Sequence, residues 1–317
     1  MIFEWVLVMF KQKFYPLFMI ETISLNPKDL SLSALHGLLL GAVAPRPIAL
    51  ASTIDDQGRI NLSPFSFFNV FSANPPIMIF SPARRGRDNT TKHTYENVQV
   101  VPEVVINVVN YPMVQQVSLA SSEYPAEINE FVKAGLTTVS SDTVTPPRVA
   151  ESPVSFECKV NQVVPLGTDG GAGNLVIAEV QLIHVRSEYL DSQGRIATEK
   201  LDLVGRMGGN WYCRASTEAI FEVAKPGRMI GLGVDQLPDS IRNSKILTGN
   251  SLGKLGGISS LPDQQEVIAW ESQPDIREML AHSHSFEKLQ HHAQKLLETD
   301  QIEDGLLTLL AADRIAS

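Results

Sequence analysis

The chain is poor in cysteine, in net positive charge and in uninterrupted apolar runs, and each scarcity removes a class of protein. Its 317 residues contain two cysteines, Cys158 and Cys213, which form neither a disulfide framework nor a paired zinc-binding motif. Acidic residues outnumber Lys and Arg by 35 to 26, giving a formal net charge of −9. A general nucleic-acid binder needs a broad basic surface, so nucleic acid is not predicted as a partner. A reducing cytoplasm is the simplest compartment for such a chain.

The N-terminal segment 1–30 contains apolar runs without a continuous membrane span. Glu4, Lys11, Lys13 and Pro16 interrupt the runs, and no basic region precedes them as a secretory signal requires. We therefore predict a short leader and lead-in over 1–30, or translation from Met19, and no membrane association.

Short apolar runs bounded by Pro or polar residues predict a mainly β body with peripheral helices. The predicted strands lie within residues 45–53, 76–81, 100–110, 154–167 and 175–190. The connections are short, and Asp-Asp-Gln-Gly at 55–58 is a hairpin turn signal, so the strands are expected to run antiparallel. This pattern favours a closed or partly closed barrel. Helical periodicity is present at 33–43, 112–125 and 127–135.

The last third of the chain differs in composition from the β-rich part. Residues 227–263 are rich in Gly and Pro and predict a loop-rich connector, and residues 264–317 show the amphipathic pattern of two or three helices. We therefore predict one β-rich domain over 31–226, followed by the connector and a C-terminal helical extension.

Familiar catalytic motifs are missing from the sequence. There is no G-x-S-x-G elbow, and GTDGGAGN at 167–174 lacks the spacing of a phosphate-binding loop, so it predicts a hairpin turn. The tail histidines, at 282, 284, 291 and 292, lack the spacing of metal ligands, and no metal site is predicted. His184 ends an apolar strand and is either packed there or lines a pocket.

A basic loop follows the strand at 76–81. The segment SPARRGRDNTTKHTYENV, residues 81–98, places Arg84, Arg85, Arg87 and Lys92 among hydroxyl and amide side chains. A phosphate monoester carries nearly two negative charges and is bound by such cations and donors. The residues alone leave two interpretations open, a site for a phosphorylated planar ligand or a solvated basic loop.

At least six motifs, in order, resemble the flavin reductase-like family, which includes flavoredoxins and the reductase components of two-component monooxygenases. They are PRPIALAST, GRINLSPFSFFN, SANPPIMIFS, the basic loop with TTKHTYEN, the VVIN strand, GNLVIAEVQLIHV and VGRMGGNWY, within a match from about Pro45 to Pro226. The resemblance implies an FMN-binding split β-barrel of Greek-key type. It also implies FMN as cofactor, with FAD as the alternative, NAD(P)H as co-substrate, and a homodimer with the flavin near the subunit interface.

The resemblance further implies which residues contact the flavin. Those expected at the flavin are Arg46, Ser52, Thr53, Asn61, Ser63, Ser66 and Phe67, and those expected at the phosphate and ribityl chain are Ser81, Arg87, Lys92 and Thr94. The family usually has Asp where this chain has His93. His184 and Arg206 are the candidates for the substrate face, as the catalytic residues.

The function expected from this resemblance is that of an FMN-binding oxidoreductase. NAD(P)H would reduce the flavin, and electrons would pass to oxygen, to free flavin, or to a partner such as a monooxygenase. Two alternatives stay open: an FMN-binding electron carrier without NAD(P)H activity, and a non-catalytic scaffold that binds a partner.

Overall fold

The computed structural model describes residues 21–223, 225 and 230–316, and the chain divides into two compact units between Phe221 and Glu222. Most of the predicted leader, residues 1–20, lies outside the described residues. None of the described helices combines the length and apolar character needed to span a bilayer.

The first unit is built on a seven-stranded antiparallel sheet. Its strands are β1 Ala49–Ile54, β2 Ile60–Phe65, β3 Phe68–Ala73, β4 Pro76–Phe80, β5 Glu103–Val108, β8 Val154–Pro165 and β9 Asn174–Val185. Their order across the sheet is β2-β1-β5-β8-β9-β4-β3. The prediction of a mainly β fold with helices is therefore confirmed. Among the described residues no ladder joins β2 to β3, so the sheet is open rather than closed.

The pairing of the strands determines which side chains share a face. Leu50 pairs with Asn107, Asn107 with Ser155 and Ser155 with His184, and directly paired residues point to the same side of a sheet. Thr53 pairs with Asn61 and points to the other side, because successive side chains alternate. All six β1 residues are buried, between one apolar cluster that includes Leu50 and another that includes Ala51.

Helices and two short strand pairs surround the sheet. They are α1 Leu32–Ala42, α2 His93–Val100, α3 Val114–Ala120, α4 Glu130–Ala134 and α5 Thr198–Leu201, with β6 Thr138–Val139 paired to β7 Arg148–Val149 and β10 Val204–Arg206 paired to β11 Tyr212–Arg214. The three helices expected near 33–43, 112–125 and 127–135 are confirmed. Helix α2 was not predicted, because its N-cap residue, Lys92, supplies no capping side-chain bond.

The described residues of the second unit are mainly helical. It contains α6 Asp239–Arg242, α7 Gly249–Gly256, α8 Gln264–Glu271, α9 Pro274–Leu280, α10 Ser285–Glu298 and α11 Ile302–Ala316. Where the sequence predicts a loop-rich connector over 227–263, α6 and α7 instead contribute Ile241 and Leu255 to the same apolar cluster as Leu297 of α10. Reciprocal capping by Thr248 and Ser251 starts α7 despite its glycines. The tail beyond 264 has four helices, where two or three were predicted.

Candidate functional site

A polar pocket lies beside edge strand β2, between the start of α2 and the segment that follows α3. Its lining residues are Asn61, Ser63, Arg85, Lys92, His93, Thr94, Ala120, Ser121, Ser122, Glu123, Tyr124 and Glu130. We call this group the polar pocket. Four residues predicted to contact the cofactor, Asn61, Ser63, Lys92 and Thr94, meet there. No local pattern identifies the serines at 121 and 122 or the acids at 123 and 130 as pocket residues, because they are distant in the chain from the basic loop.

Two buried hydrogen bonds position the start of α2 against the sheet. The Asn61 amide donates to the Thr94 hydroxyl over 2.9 Å, and the Asn97 amide donates to the Thr53 hydroxyl over 3.1 Å. All four side chains are buried. Because these bonds join β1 and β2 to the first two turns of α2, they determine where Lys92, the residue before the helix, lies. Thr53 thus supports the polar pocket without lining it.

Lys92 is a half-buried cation without an ionic partner. Its Nζ lies 5.6 Å from the centroid of the Phe65 ring, and no described carboxylate or carbonyl forms a hydrogen bond or ion pair with it. Burial, followed by the positive charge of Arg85, lowers the pKa of the Lys92 ammonium. A bound anion would offset both effects, so this corner of the polar pocket favours a negatively charged ligand.

The loop arginines, in contrast, are already paired. Arg84 donates to the side chain of Asn89 over 2.6 Å. The Arg87 Nη2 lies 2.9 Å from Glu123 Oε2 and 3.0 Å from an Asp88 oxygen, with the Arg87 side chain 71% exposed. Arg87 does not line the polar pocket. Arg85 does, although it is not among the residues predicted to contact the flavin.

The Gly-rich segment 167–174 holds the basic loop in place. It joins β8 to β9, as predicted for a hairpin. The backbone N–H of Asn174 donates to the Ser81 hydroxyl over 3.0 Å, and the Asn174 amide donates to the Pro82 carbonyl over 2.9 Å. A Cβ on Gly170 would lie 3.1 Å from the Arg85 carbonyl oxygen, so glycine permits this close approach. Ser81 is therefore an anchor of the loop and lies outside the polar pocket.

Three further predicted residues lie beside α1. The buried Arg46 guanidinium donates to the carbonyls of Leu40, Val43 and Met207 and reaches the Ser66 hydroxyl at 3.5 Å. Burial lowers the pKa of this guanidinium. Arg46 thus binds the last, unpaired carbonyls of α1. Phe67 is 41% exposed and contacts the His36 ring edge to face; neither Ser66 nor Phe67 lines the polar pocket.

Ser52 lies on the opposite face of β1 from Thr53. It is fully buried, and its hydroxyl has no hydrogen-bond partner among the described residues. Its cross-strand neighbours are Leu62 and Val105, so it points away from the side on which Asn61 and Thr94 meet. The structure does not bring Ser52 into the polar pocket.

His184 belongs to a separate polar network, on the face that carries Leu50 and Asn107. Its Nε2 lies 2.7 Å from Glu157 Oε1 and 3.8 Å from an Asp142 oxygen. Burial alone would raise the pKa of Glu157, but hydrogen bonds from the Thr143 hydroxyl, two backbone amides and His184 lower it to about 2. His184 also lines an open cleft of about 640 Å³ together with Arg148. This cleft and the polar pocket are different sites.

The His184 network has the spacing of a metal site but a different hydrogen-bond pattern. One oxygen from Asp142, one from Glu157 and a ring nitrogen of His184 lie within 4.8 Å of one another. Glu157 Oε1 already accepts from the Asp142 amide and His184, and Oε2 accepts from the amide and hydroxyl of Thr143. With these lone pairs engaged, the arrangement is that of a buried carboxylate held by N–H and O–H donors.

Arg206 is likewise outside the polar pocket. Its backbone forms a two-hydrogen-bond bridge to Arg46, its guanidinium lies 4.6 Å from the centroid of the Tyr212 ring, and its Nη2 donates to the Gly209 carbonyl over 2.8 Å. The two candidates for the substrate face, Arg206 and His184, therefore do not converge with the residues that surround Lys92.

Two relatives of known sequence match about three fifths of the chain. A protein of Aquifex aeolicus without an assigned function is 39% identical over 196 residues, 62% of this chain and 97% of its own length. A second such protein, from Halalkalibacterium halodurans, is 42% identical over 192 residues, 60% of this chain and 91% of its own. More than a third of this chain therefore has no counterpart in either match.

A solved structure is similar to this chain over a comparable share of its length. The nitrilotriacetate monooxygenase component B of Bacillus cereus is 29% identical, superposes with a TM-score of 0.60, and is covered over 99% of its length by 64% of this chain. The family model described as "Flavin reductase like domain" matches residues 41–200, half of the chain, including the strands and the helix that form the polar pocket. The protein therefore belongs to the flavin reductase-like family.

Proposed function

We propose that this protein is an FMN-binding oxidoreductase in which NAD(P)H reduces the flavin. The observation that carries the proposal is the unpaired Lys92 ammonium in the polar pocket, beside the hydroxyls of Ser63 and Thr94. A half-buried cation next to neutral donors suits a compact dianion such as a phosphate monoester. FMN ends in this group, whereas FAD, the alternative cofactor, has a diphosphate diester.

The residues of the polar pocket fit the phosphate end of the flavin. Lys92 would supply the charge. Ser63 and Ser122 would supply hydroxyl donors, and Arg85 adds a second cation at the edge. The Ser121 hydroxyl already donates to the Ser118 carbonyl over 2.6 Å. At the start of α2, the amides of Tyr95 and Glu96 donate to the Lys92 carbonyl, and those of His93 and Thr94 are the further donors that this proposal gives to the phosphate. Lys92 therefore has the leading role in this proposal, and Arg87, exposed and paired with two acids, has a lesser one than its place in the motif implies.

When bound, FMN supplies the hydride and electron chemistry of the reaction. The contribution of the protein is then to bind and orient the flavin and to leave one ring face open to the nicotinamide. No side chain is assigned as an acid, base or nucleophile. His184 and Arg206 keep the role of candidates for the substrate face only if the second subunit of a dimer brings them to the flavin of its partner.

The proposed homodimer accounts for an apolar helix on the surface. Helix α1 contains no Asp, Glu, Lys or Arg, and its Leu32, Leu38 and Leu39 side chains are 49%, 45% and 53% exposed. Phe67, predicted to lie at the flavin, contacts His36 of this helix. A second copy that covers α1 would bury these leucines and complete the flavin site close to the interface.

The proposed electron acceptors take account of one protein to which the chain is similar. The Bacillus cereus protein is the B component of a monooxygenase. We propose that electrons pass from the reduced flavin to oxygen, to free flavin or to a monooxygenase partner, and that the reaction takes place in the cytoplasm.

An anaerobic titration tests the proposed function. The purified protein, reconstituted with FMN, would be titrated with NADH and with NADPH while the flavin absorbance near roughly 450 nm is followed. We expect bleaching with at least one nicotinamide, faster than with FMN alone. Bleaching no faster than the flavin-only background would reject NAD(P)H-dependent activity. Reduction by dithionite alone would identify an electron carrier, and a protein without FMN affinity would identify a scaffold.

A further inference from the structure

Glu123 contacts two arginines of the basic loop: Arg85, which lines the polar pocket, and Arg87, which does not. Its Oε1 lies 3.2 Å from Arg85 Nε, and its Oε2 lies 2.9 Å from Arg87 Nη2. Glu123 lies in the segment after α3 and lines the polar pocket together with Lys92. Its negative charge also acts on Lys92, whose pKa it raises against the larger effects of burial and Arg85.

We propose that Glu123 sets the preference of the polar pocket between phosphorylated and unphosphorylated flavins, because its carboxylate competes with the flavin phosphate for the loop arginines. The inference rests on the proposed function, in which the phosphate of FMN binds beside Lys92. Riboflavin has the same ring and ribityl chain without the phosphate, so the competition affects FMN and leaves riboflavin unchanged.

The physical basis is the presence of two anions in one small pocket. A phosphate beside Lys92 would lie in the same pocket as the Glu123 carboxylate. The two negative charges would repel each other. The Arg85 side chain is only 18% exposed, so its charge is the less screened of the two arginines. While Glu123 pairs with it, part of that charge is unavailable to a phosphate. Glu123 is 52% exposed, so it can turn into solvent at little cost.

The other described acids near the loop do not pair with Arg85. Asp88 pairs with Arg87 and accepts hydrogen bonds from Thr90, and Glu130 accepts a hydrogen bond from the Leu62 backbone N–H at the sheet edge. Glu127 follows Glu123 by four residues, is exposed and does not line the polar pocket. It therefore provides a control with the same change of charge in the same segment.

The experiment compares FMN with riboflavin on the full chain. Dissociation constants for both flavins would be measured by fluorescence quenching for the wild type, Glu123→Gln and Glu127→Gln, at low salt and at 0.5 M salt. In Glu123→Gln we expect the preference for FMN over riboflavin to rise about three- to tenfold at low salt, and less at high salt. The affinity for riboflavin should stay at the wild-type value and reports that the variant is folded. Glu127→Gln should behave as the wild type.

The outcomes separate the inference from the function on which it rests. Binding of both flavins with an unchanged preference in Glu123→Gln overturns the inference alone. A lower preference for FMN overturns it as well, since Glu123 would then organise the arginines for the phosphate instead of competing with it. If the wild type binds neither flavin, the proposed function fails and the inference falls with it.

Discussion

Replacement of Lys92 by methionine should weaken FMN binding and leave riboflavin binding intact. Methionine retains an unbranched apolar stem against Phe65, which the Lys92 ammonium approaches to 5.6 Å, and removes only the charge. Asn61, Thr94 and the bonds that position α2 are unaffected by this change. Because burial already lowers the pKa of Lys92, loss of the charge should not reduce the stability of the unliganded protein.

The magnitude follows from the half-buried position of Lys92. A hydrogen bond to a charged group contributes about 1.5–3 kcal/mol, and a unit charge pair at 4 Å contributes about 1 kcal/mol in full water and more as solvent is excluded. We therefore expect a loss of about 1–3 kcal/mol, which corresponds to a dissociation constant for FMN about 5- to 150-fold higher.

Fluorescence titration with FMN and riboflavin measures both effects in one experiment. Lys133→Met, on the exposed side of α4, makes the same change of charge away from the polar pocket and should bind FMN like the wild type. Unchanged FMN affinity in Lys92→Met would refute the placement of the phosphate. An equal loss for FMN and riboflavin would show that Lys92 supports the fold or the ring instead of the phosphate.

Three further predictions concern stability and assembly. Since the pKa of Glu157 is lowered to about 2, its ionised form stabilises the fold above its ordinary pKa of 4.5 and this contribution is lost as the pH falls towards 2. Urea unfolding from pH 7 to 3 should show that the unfolding free energy of Glu157→Gln is about 3 kcal/mol lower than that of the wild type at pH 7 and falls less as the pH is lowered. Equal pH profiles for the two proteins would contradict this. Leu38→Glu should convert the proposed homodimer to a monomer in analytical ultracentrifugation, whereas Leu38→Met should not; a monomeric wild type would reject the dimer. Gly170→Ala should lower the unfolding free energy by about 1–3 kcal/mol, because the added Cβ meets the Arg85 backbone. Gly37→Ala, with open space around the added methyl, should not destabilise.

The sequence predicts the β-rich part well because its strands carry local signals. The apolar run ending at Thr53 and the turn at 55–58 correspond to β1 and to its antiparallel pairing with β2. Helix α2 and helix α7 lack such signals. Helix α2 begins after a lysine whose side chain does not cap it. Helix α7 contains three glycines, and it depends on its cap and on the packing of Leu255 against α10.

The candidate site was predictable in type but not in detail. Residue types identify a basic loop with hydroxyls, but only the fold shows that Arg85 lines the polar pocket while Arg87 faces solvent. The face on which His184 lies depends on a chain of pairings from β1 through β5 and β8 to β9, a non-local register that no local pattern contains. Glu123 reaches the same pocket from a segment more than 30 residues away in the chain.

The pairing within the basic loop explains why an acidic chain contains it. Arg84 bonds to the neutral Asn89 side chain within its own loop, and Arg85 and Arg87 share the Glu123 carboxylate, so the three arginines are engaged in holding the loop. Lys92 is the loop cation for which the described residues provide no such partner. An extended polyanion would need several free cations in a row. A single half-buried lysine in a pocket lined by serine and threonine residues instead suits the one phosphate group proposed above, and Glu123 in the same pocket would adjust how strongly that group is held.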